Sequence, residues 1–150
     1  MLSPRHQALL RAAQAIADHH PEPELAQIFD RPLVILSAPR SGSNLLFESL
    51  RTAESLWSIG AESHFIFNAF PELHPATRHY ESGALTEADA TPERCHLMRA
   101  CFLALAQDSA GRRYLDQPEN ERPASIRLLE KTPRNALNVP FMRKLFPGMQ

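Results

Sequence analysis

Residues 33–44, Leu-Val-Ile-Leu-Ser-Ala-Pro-Arg-Ser-Gly-Ser-Asn, form an apolar strand that runs into a small-residue loop and then opens a helix. This arrangement builds an anion cradle. Amides of the loop and first helical turn have no intrahelical partner, and the helix dipole adds positive potential where they point. A phosphate-like or sulfate-like group suits it. The nucleoside-triphosphate loop, G-x-x-x-x-G-K-[ST], is excluded by what is missing: Gly42 is the only glycine, and Ser43-Asn44 stands where the Lys-Ser/Thr pair would fall. Without that lysine, the loop fits an anion carrying less charge than a metal-bound triphosphate. Two more strand ends carry charge, Glu62 after residues 56–60 and Lys131 with Arg134 after residues 125–130. A carboxylate within hydrogen-bond reach can take the proton of a hydroxyl nucleophile. A lysine aimed at a departing oxygen can stabilise the charge that grows there, and Arg40 with the loop amides can align the anion for in-line attack. Each group also has a plainer reading. The loop can be simple turn chemistry, Glu62 an N-terminal helix charge, and Lys131 and Arg134 surface charges beside a turn. His64 competes with Glu62 as a base, because histidine titrates near neutrality. Glu130 falls on the opposite face of its strand from Lys131 and reads as structural.

The elements that must position these groups alternate between strand and helix. Ser3 caps a first helix with Pro4 in its first turn, and Leu9, Leu10, Ala13, Ile16 and Ala17 mark one packing face. Pro21-Glu22-Pro23 breaks it, and a short linker through residues 29–32 leads to a strand at 33–38. That strand is apolar without alternation, as expected when helices cover both faces. A helix at about 43–53 is expected to bury Leu46, Leu50 and Ala53, and Leu56-Trp57-Ser58-Ile59-Gly60 reads as a second short strand. Residues 65–90, with Pro71, Pro75 and Gly83, read as irregular helix and loop and suit part of an acceptor pocket. Thr91-Pro92-Glu93 starts the clearest helix, with Leu97, Met98, Cys101, Phe102 and Leu105 as its apolar face. Residues 108–123 form a surface connection, 125–130 return to strand, and Asn138 caps a helix at about 138–146 that Pro147-Gly148 stops. Such alternation predicts a further parallel strand next, since a crossover helix leads into one. The fold class is therefore α/β, with a parallel sheet at whose carboxyl edge ligands bind.

Composition narrows the partners. At 43% hydrophobic and 22% charged, 150 residues suffice for one folded domain with a core. A formal charge of −1 gives no general attraction to nucleic acid or anionic membrane, so an anion site must be local. No apolar run approaches the roughly 20 residues of a membrane span, and the first residues lack a signal-peptide core. The expected compartment is the cytoplasm. Cys95 and Cys101 lie six apart on one helix, where a disulfide does not form, and read as reduced buried thiols. The histidines show no ligand spacing, so no metal site is expected.

Arg40-Ser41-Gly42-Ser43, Gly60-Ala61-Glu62-Ser63 and Leu128-Leu129-Glu130-Lys131-Thr132-Pro133-Arg134-Asn135, followed by Leu145-Phe146-Pro147, occur in this order. The series resembles bacterial sulfotransferases that use 3′-phosphoadenosine 5′-phosphosulfate (PAPS), which are also similar to tyrosylprotein sulfotransferases. The resemblance implies a P-loop NTPase-like parallel sheet flanked by helices. It places the 5′-phosphosulfate of PAPS on Arg40, Ser41, Gly42, Ser43 and Asn44, a base at Glu62 and leaving-group stabilisation at Lys131. It also implies PAPS as co-substrate without a metal and a small-molecule or peptide acceptor with a hydroxyl or amine. Asn44 departs from the second hydroxyl usual in that loop. The resemblance spans the N-terminal part of one catalytic domain, residues 1–150. The C-terminal strands, the 3′-phosphate contacts and the adenine contacts would come from beyond Gln150. The chain alone is expected to expose apolar surface and to be inactive. Two other readings stay open: a P-loop kinase-like phosphotransferase, and a non-catalytic anion-binding module.

Overall fold

Three short parallel strands carry the site in a computed structural model that describes residues 2–80 and 82–150. They are β1 (Leu33–Ile35), β2 (Leu56–Trp57) and β3 (Arg127–Lys131), in the order β1-β3-β2. Leu33 pairs with Leu129 and Ile35 with Lys131, while Leu56 pairs with Arg127. Their carboxyl ends lie on one edge and release the three loops that carry Arg40, Glu62 and Arg134. On the far side of β1, the Gln150 N–H donates to the Pro32 carbonyl at 2.8 Å, and the Gln150 carbonyl accepts from the Val34 N–H at 2.9 Å. Those two bonds are the pattern of a parallel neighbour.

Among the described residues six α-helices flank the sheet: α1 (Pro4–His19), α2 (Glu22–Ile28), α3 (Ser43–Leu50), α4 (His64–Phe67), α5 (Pro92–Leu105) and α6 (Val139–Leu145). The α/β class with a helix-flanked parallel sheet is as expected. α1 starts at its Ser3 cap, whose hydroxyl accepts from the His6 amide. α5 starts at Thr91, which accepts from the Arg94 amide. Between the first helix and the linker through residues 29–32, where Pro21-Glu22-Pro23 is expected only to break the chain, α2 forms. Pro23 lies in its first turn, where a missing N–H costs nothing, and Glu22 and Glu24 complement the dipole there.

α5 is buried almost all round. Met98, Ala100, Cys101, Phe102 and Leu103 are inaccessible, whereas Leu97 and Leu105 are only partly covered. Each fully buried large side chain contributes about 1.5–3 kcal/mol. Burial pushes the Cys101 thiol up to about 12, and both cysteines are free. Arg99 is buried on the same helix. It donates from Nε to the Leu145 carbonyl at 2.7 Å, from Nη2 to Lys144 at 2.9 Å and from Nη1 to Glu22 at 2.5 Å. The guanidinium thus closes the C-terminus of α6 and ties it to α2.

The α3 side of the sheet is thin. Phe47, Leu56 and Leu129 form a small cluster there, with Leu33, Ile35 and Leu50 at its margin. Leu46 is 48% exposed, against expectation, and Leu45 and Leu36 are exposed as well. Ala53 lies in the turn beyond α3 and is also exposed. An eight-residue helix presents one stripe, and Ser43, Phe47 and Leu50 occupy it. β1 therefore alternates, with only Val34 reaching the main core. Asn138 makes no side-chain cap for α6. Its Oδ1 instead accepts from the Leu85 amide at 2.9 Å and anchors the irregular stretch before α5.

Candidate functional site

β1 stops at Ile35 and the chain turns through residues 36–42. Ser41 Oγ donates to the Ala38 carbonyl at 2.7 Å and pins the turn. Arg40 and Gly42 both adopt left-handed backbone, with φ of +58° and +82°. A Cβ on Gly42 would meet nothing within 4 Å, so it is the backbone that asks for glycine here. Arg40 carries the penalty of about 1–2 kcal/mol that L-residues meet in this region. Among the described residues, the amides of Arg40, Ser41, Gly42, Ser43, Asn44 and Leu45 donate to no protein acceptor. Leu46 is the first to turn back, onto the Gly42 carbonyl at 3.3 Å. Six such N–H groups, three in the loop and three in the first turn of α3, are a concentrated set of potential anion donors.

β2 leads through Ser58 and Gly60 to Glu62. Gly60 has φ of +75°, so its backbone conformation asks for glycine, and a Cβ there would push the amide end of the Gln107 side chain aside. Lys131 is the last residue of β3, with its side chain only 2% exposed. On that face of the strand, Leu129 packs against Phe47 and Lys131 reaches toward the loop.

These pieces enclose an open cleft of about 1000 Å³, lined by residues 37–44, Glu62, His64, Lys131, Arg134 and Leu137 among others. Lys131 Nζ donates to Glu62 Oε1 at 2.5 Å and to Asn44 Oδ1. Asn44 thus uses its carbonyl on the lysine and leaves its amide nitrogen to donate. Glu62, 37% exposed, also places Oε2 3.3 Å from His64 Nε2. All seven of the residues singled out for catalysis or donor binding therefore line one cleft, with His64 beside the carboxylate it competes with. Within the cleft, Glu62 is balanced by Lys131, whereas Arg40 and Arg134 face no carboxylate partner among the described residues. The local balance is cationic, although the chain as a whole is not.

Behind Lys131 lies a second set of polar groups that sequence reasoning left unassembled. Glu130 is 1% exposed, and its Oε1 accepts from Ser63 Oγ at 2.7 Å, Thr132 Oγ1 at 2.5 Å and Asn135 Nδ2 at 3.0 Å. The Ser63 amide donates to Thr132 Oγ1 at 2.8 Å. A legible signal existed: Glu, Thr and Asn closely spaced in a strand exit that is otherwise buried must find partners. Burial raises the Glu130 carboxyl from 4.5 to about 7, against the three hydrogen bonds that favour its charged form. Between those values the folded protein holds a proton that the unfolded chain has released. Stability therefore falls as pH rises from about 4.5 to about 7, by roughly 3 kcal/mol, and levels off above. Thermal melting of wild type against Glu130→Gln across pH 4.5–8 measures this, and the variant's curve should lack that part of the slope.

A match to the family described as the sulfotransferase family runs from residue 32 to residue 150. The chain belongs to the sulfotransferase family. Among curated proteins and solved structures, none matches it. The sulfotransferase match begins at Pro32, immediately before β1, and contains every residue of the cleft. α1 and α2 lie outside it. No group of three or more His, Cys, Asp or Glu among the described residues is placed to hold a metal ion. No described helix is long and apolar enough to cross a membrane.

Proposed function

We propose that this chain binds the 5′-phosphosulfate end of PAPS in the cleft and moves its sulfuryl group to a hydroxyl or amine of a small-molecule or peptide acceptor. The observation that carries the reading is the Glu62–Lys131 pair at 2.5 Å, at the mouth of a loop with six free amides. Those amides, Arg40 and Asn44 hold the non-bridging oxygens and align the sulfur for in-line attack. The acceptor oxygen or nitrogen bonds to sulfur while the bond from sulfur to the phosphate oxygen breaks. Glu62 takes the acceptor's proton, and Lys131 donates to the phosphate oxygen that gains charge. The products are the sulfated acceptor and 3′,5′-adenosine bisphosphate. An arriving donor offers Lys131 new oxygen partners, which frees Glu62 for the acceptor.

In this reading, residues 1–150 are the N-terminal part of one catalytic domain, and contacts to the 3′-phosphate and adenine are made by a further part of it. The exposed Leu36, Leu45 and Leu46, with the ladder bonds on the outer edge of β1, support packing of that part there. Two free, buried thiols accord with the cytoplasm as its compartment.

The test incubates the full-length protein with sulfur-labelled PAPS and a panel of phenols, alcohols, amines and tyrosine peptides. Label should appear on one acceptor class in step with release of the bisphosphate. PAPS binding without transfer to any acceptor would point to an anion-binding module, and magnesium-dependent ATP affinity to a phosphotransferase.

A further inference from the structure

Within the cleft, Glu62 on its loop and Lys131 at the end of β3 are joined only by their own side-chain contact. Glu62 leaves β2, Lys131 ends β3, and their direct contact is the one an arriving donor is proposed to disturb. The fixed connection is one residue further along each chain and on the other side of the sheet. Ser63 follows Glu62 and Thr132 follows Lys131. The Ser63 amide donates to Thr132 Oγ1 at 2.8 Å, and the two hydroxyl oxygens stand 3.0 Å apart. Both hydroxyls converge on Glu130 Oε1, and Asn135 brings the segment that carries Arg134 onto the same atom. Ser63, Glu130, Thr132 and Asn135 are all 1% exposed or less. At that burial, each unmade bond would leave a polar group unsatisfied.

We propose that Glu130 is a positioning residue for the reaction: by gathering Ser63, Thr132 and Asn135 on one oxygen, it fixes where Glu62 and Lys131 stand when the donor separates them. This rests on the sulfuryl-transfer reading above. Strand geometry is what makes it possible. Glu130 and Lys131 are adjacent in β3, so one side chain enters the core while the other enters the cleft. The backbone between them carries any displacement of the buried cluster directly to the lysine. A one-ångström error in such a pair is enough to lose about a hundredfold in rate.

The experiment uses the full-length protein with Glu130→Ala, Glu130→Gln and Thr132→Val, the last being a milder cut that removes the hydroxyl linking the Ser63 amide to Glu130 and leaves the direct Ser63–Glu130 bond. Two readouts are needed. Sulfuryl transfer from PAPS, corrected for folded fraction by titration with 3′,5′-adenosine bisphosphate, should show kcat lowered about tenfold to a hundredfold in Glu130→Ala and Thr132→Val. The KM for PAPS should stay within about threefold, because the loop amides are untouched. Glu130→Gln, which still presents an accepting oxygen, should recover most of kcat. The second readout is independent of turnover: the ¹⁵Nζ resonance of Lys131 should be slow to exchange in wild type and Glu130→Gln and broadened in the other two. A wild type that transfers nothing yet shows this pattern would sink the reaction assignment and leave the positioning role standing. Unchanged kcat per folded molecule together with an unchanged Lys131 resonance in Thr132→Val overturns the proposal, even if Glu130→Ala fails to fold.

Discussion

Lys131→Ala is expected to lower sulfuryl transfer at least about a hundredfold, the loss typical of removing one preorganised donor from a developing negative charge. The fold should survive the change. The alanine leaves Glu62 without its ammonium, but Glu62 is 37% exposed and can turn to water or to His64. Leu129, one residue pair earlier on the same strand face, keeps its contacts with Phe47 and Leu56. Melting temperature and kcat should therefore separate, with a large change in the second and a small one in the first. Turnover within threefold of wild type would remove Lys131 from the mechanism. Donor affinity should fall as well, because the lysine adds to a cleft in which Arg40 and Arg134 face no carboxylate partner among the described residues.

Glu62→Gln has the opposite signature in stability. It removes the anion facing a lysine whose side chain is 2% exposed, and a buried ammonium with only amide carbonyls to accept its protons is destabilising. Melting temperature should drop by several degrees. The rate per folded molecule should fall by about 10²–10⁴-fold, the span of general-base contributions. Affinity for the bisphosphate product should hold or improve, since one negative charge has left the cleft. A structural Glu62 would lower the melting temperature with normal turnover per folded molecule. If turnover persists, His64, 3.3 Å from the carboxylate, becomes the base to examine by His64→Gln.

Much of this was legible in residue order because the relevant constraints are local. A strand followed by Pro39-Arg40-Ser41-Gly42-Ser43 must turn sharply, and only glycine adopts the φ of +82° at no cost. Ser3, Thr91 and the prolines beside them mark helix starts by the hydrogen bonds they make or cannot make, and those starts stand. The same local reasoning misread Pro21-Glu22-Pro23. A proline pair breaks one helix and equally well begins another, and the choice depends on whether Leu25 and Ile28 find a core to enter. The exposure of Leu46 has a similar origin. Periodicity names an apolar stripe, but the orientation of an eight-residue helix is set by how its loop leaves the sheet.

Residue types by themselves determined that a small-residue loop opening a helix, a carboxylate and a lysine lie at three strand ends, because strand and turn chemistry act over a few residues. Only tertiary structure decided that Glu62 and Lys131 meet at 2.5 Å, that Asn44 spends its carbonyl on that lysine, and that Glu130 gathers Ser63, Thr132 and Asn135. Ser63 and Thr132 are separated by 69 positions in the chain. Nothing local couples them. Their bond follows from strand order, since β2 and β3 are neighbours in register, so the residues leaving their carboxyl ends are brought side by side in the buried interior.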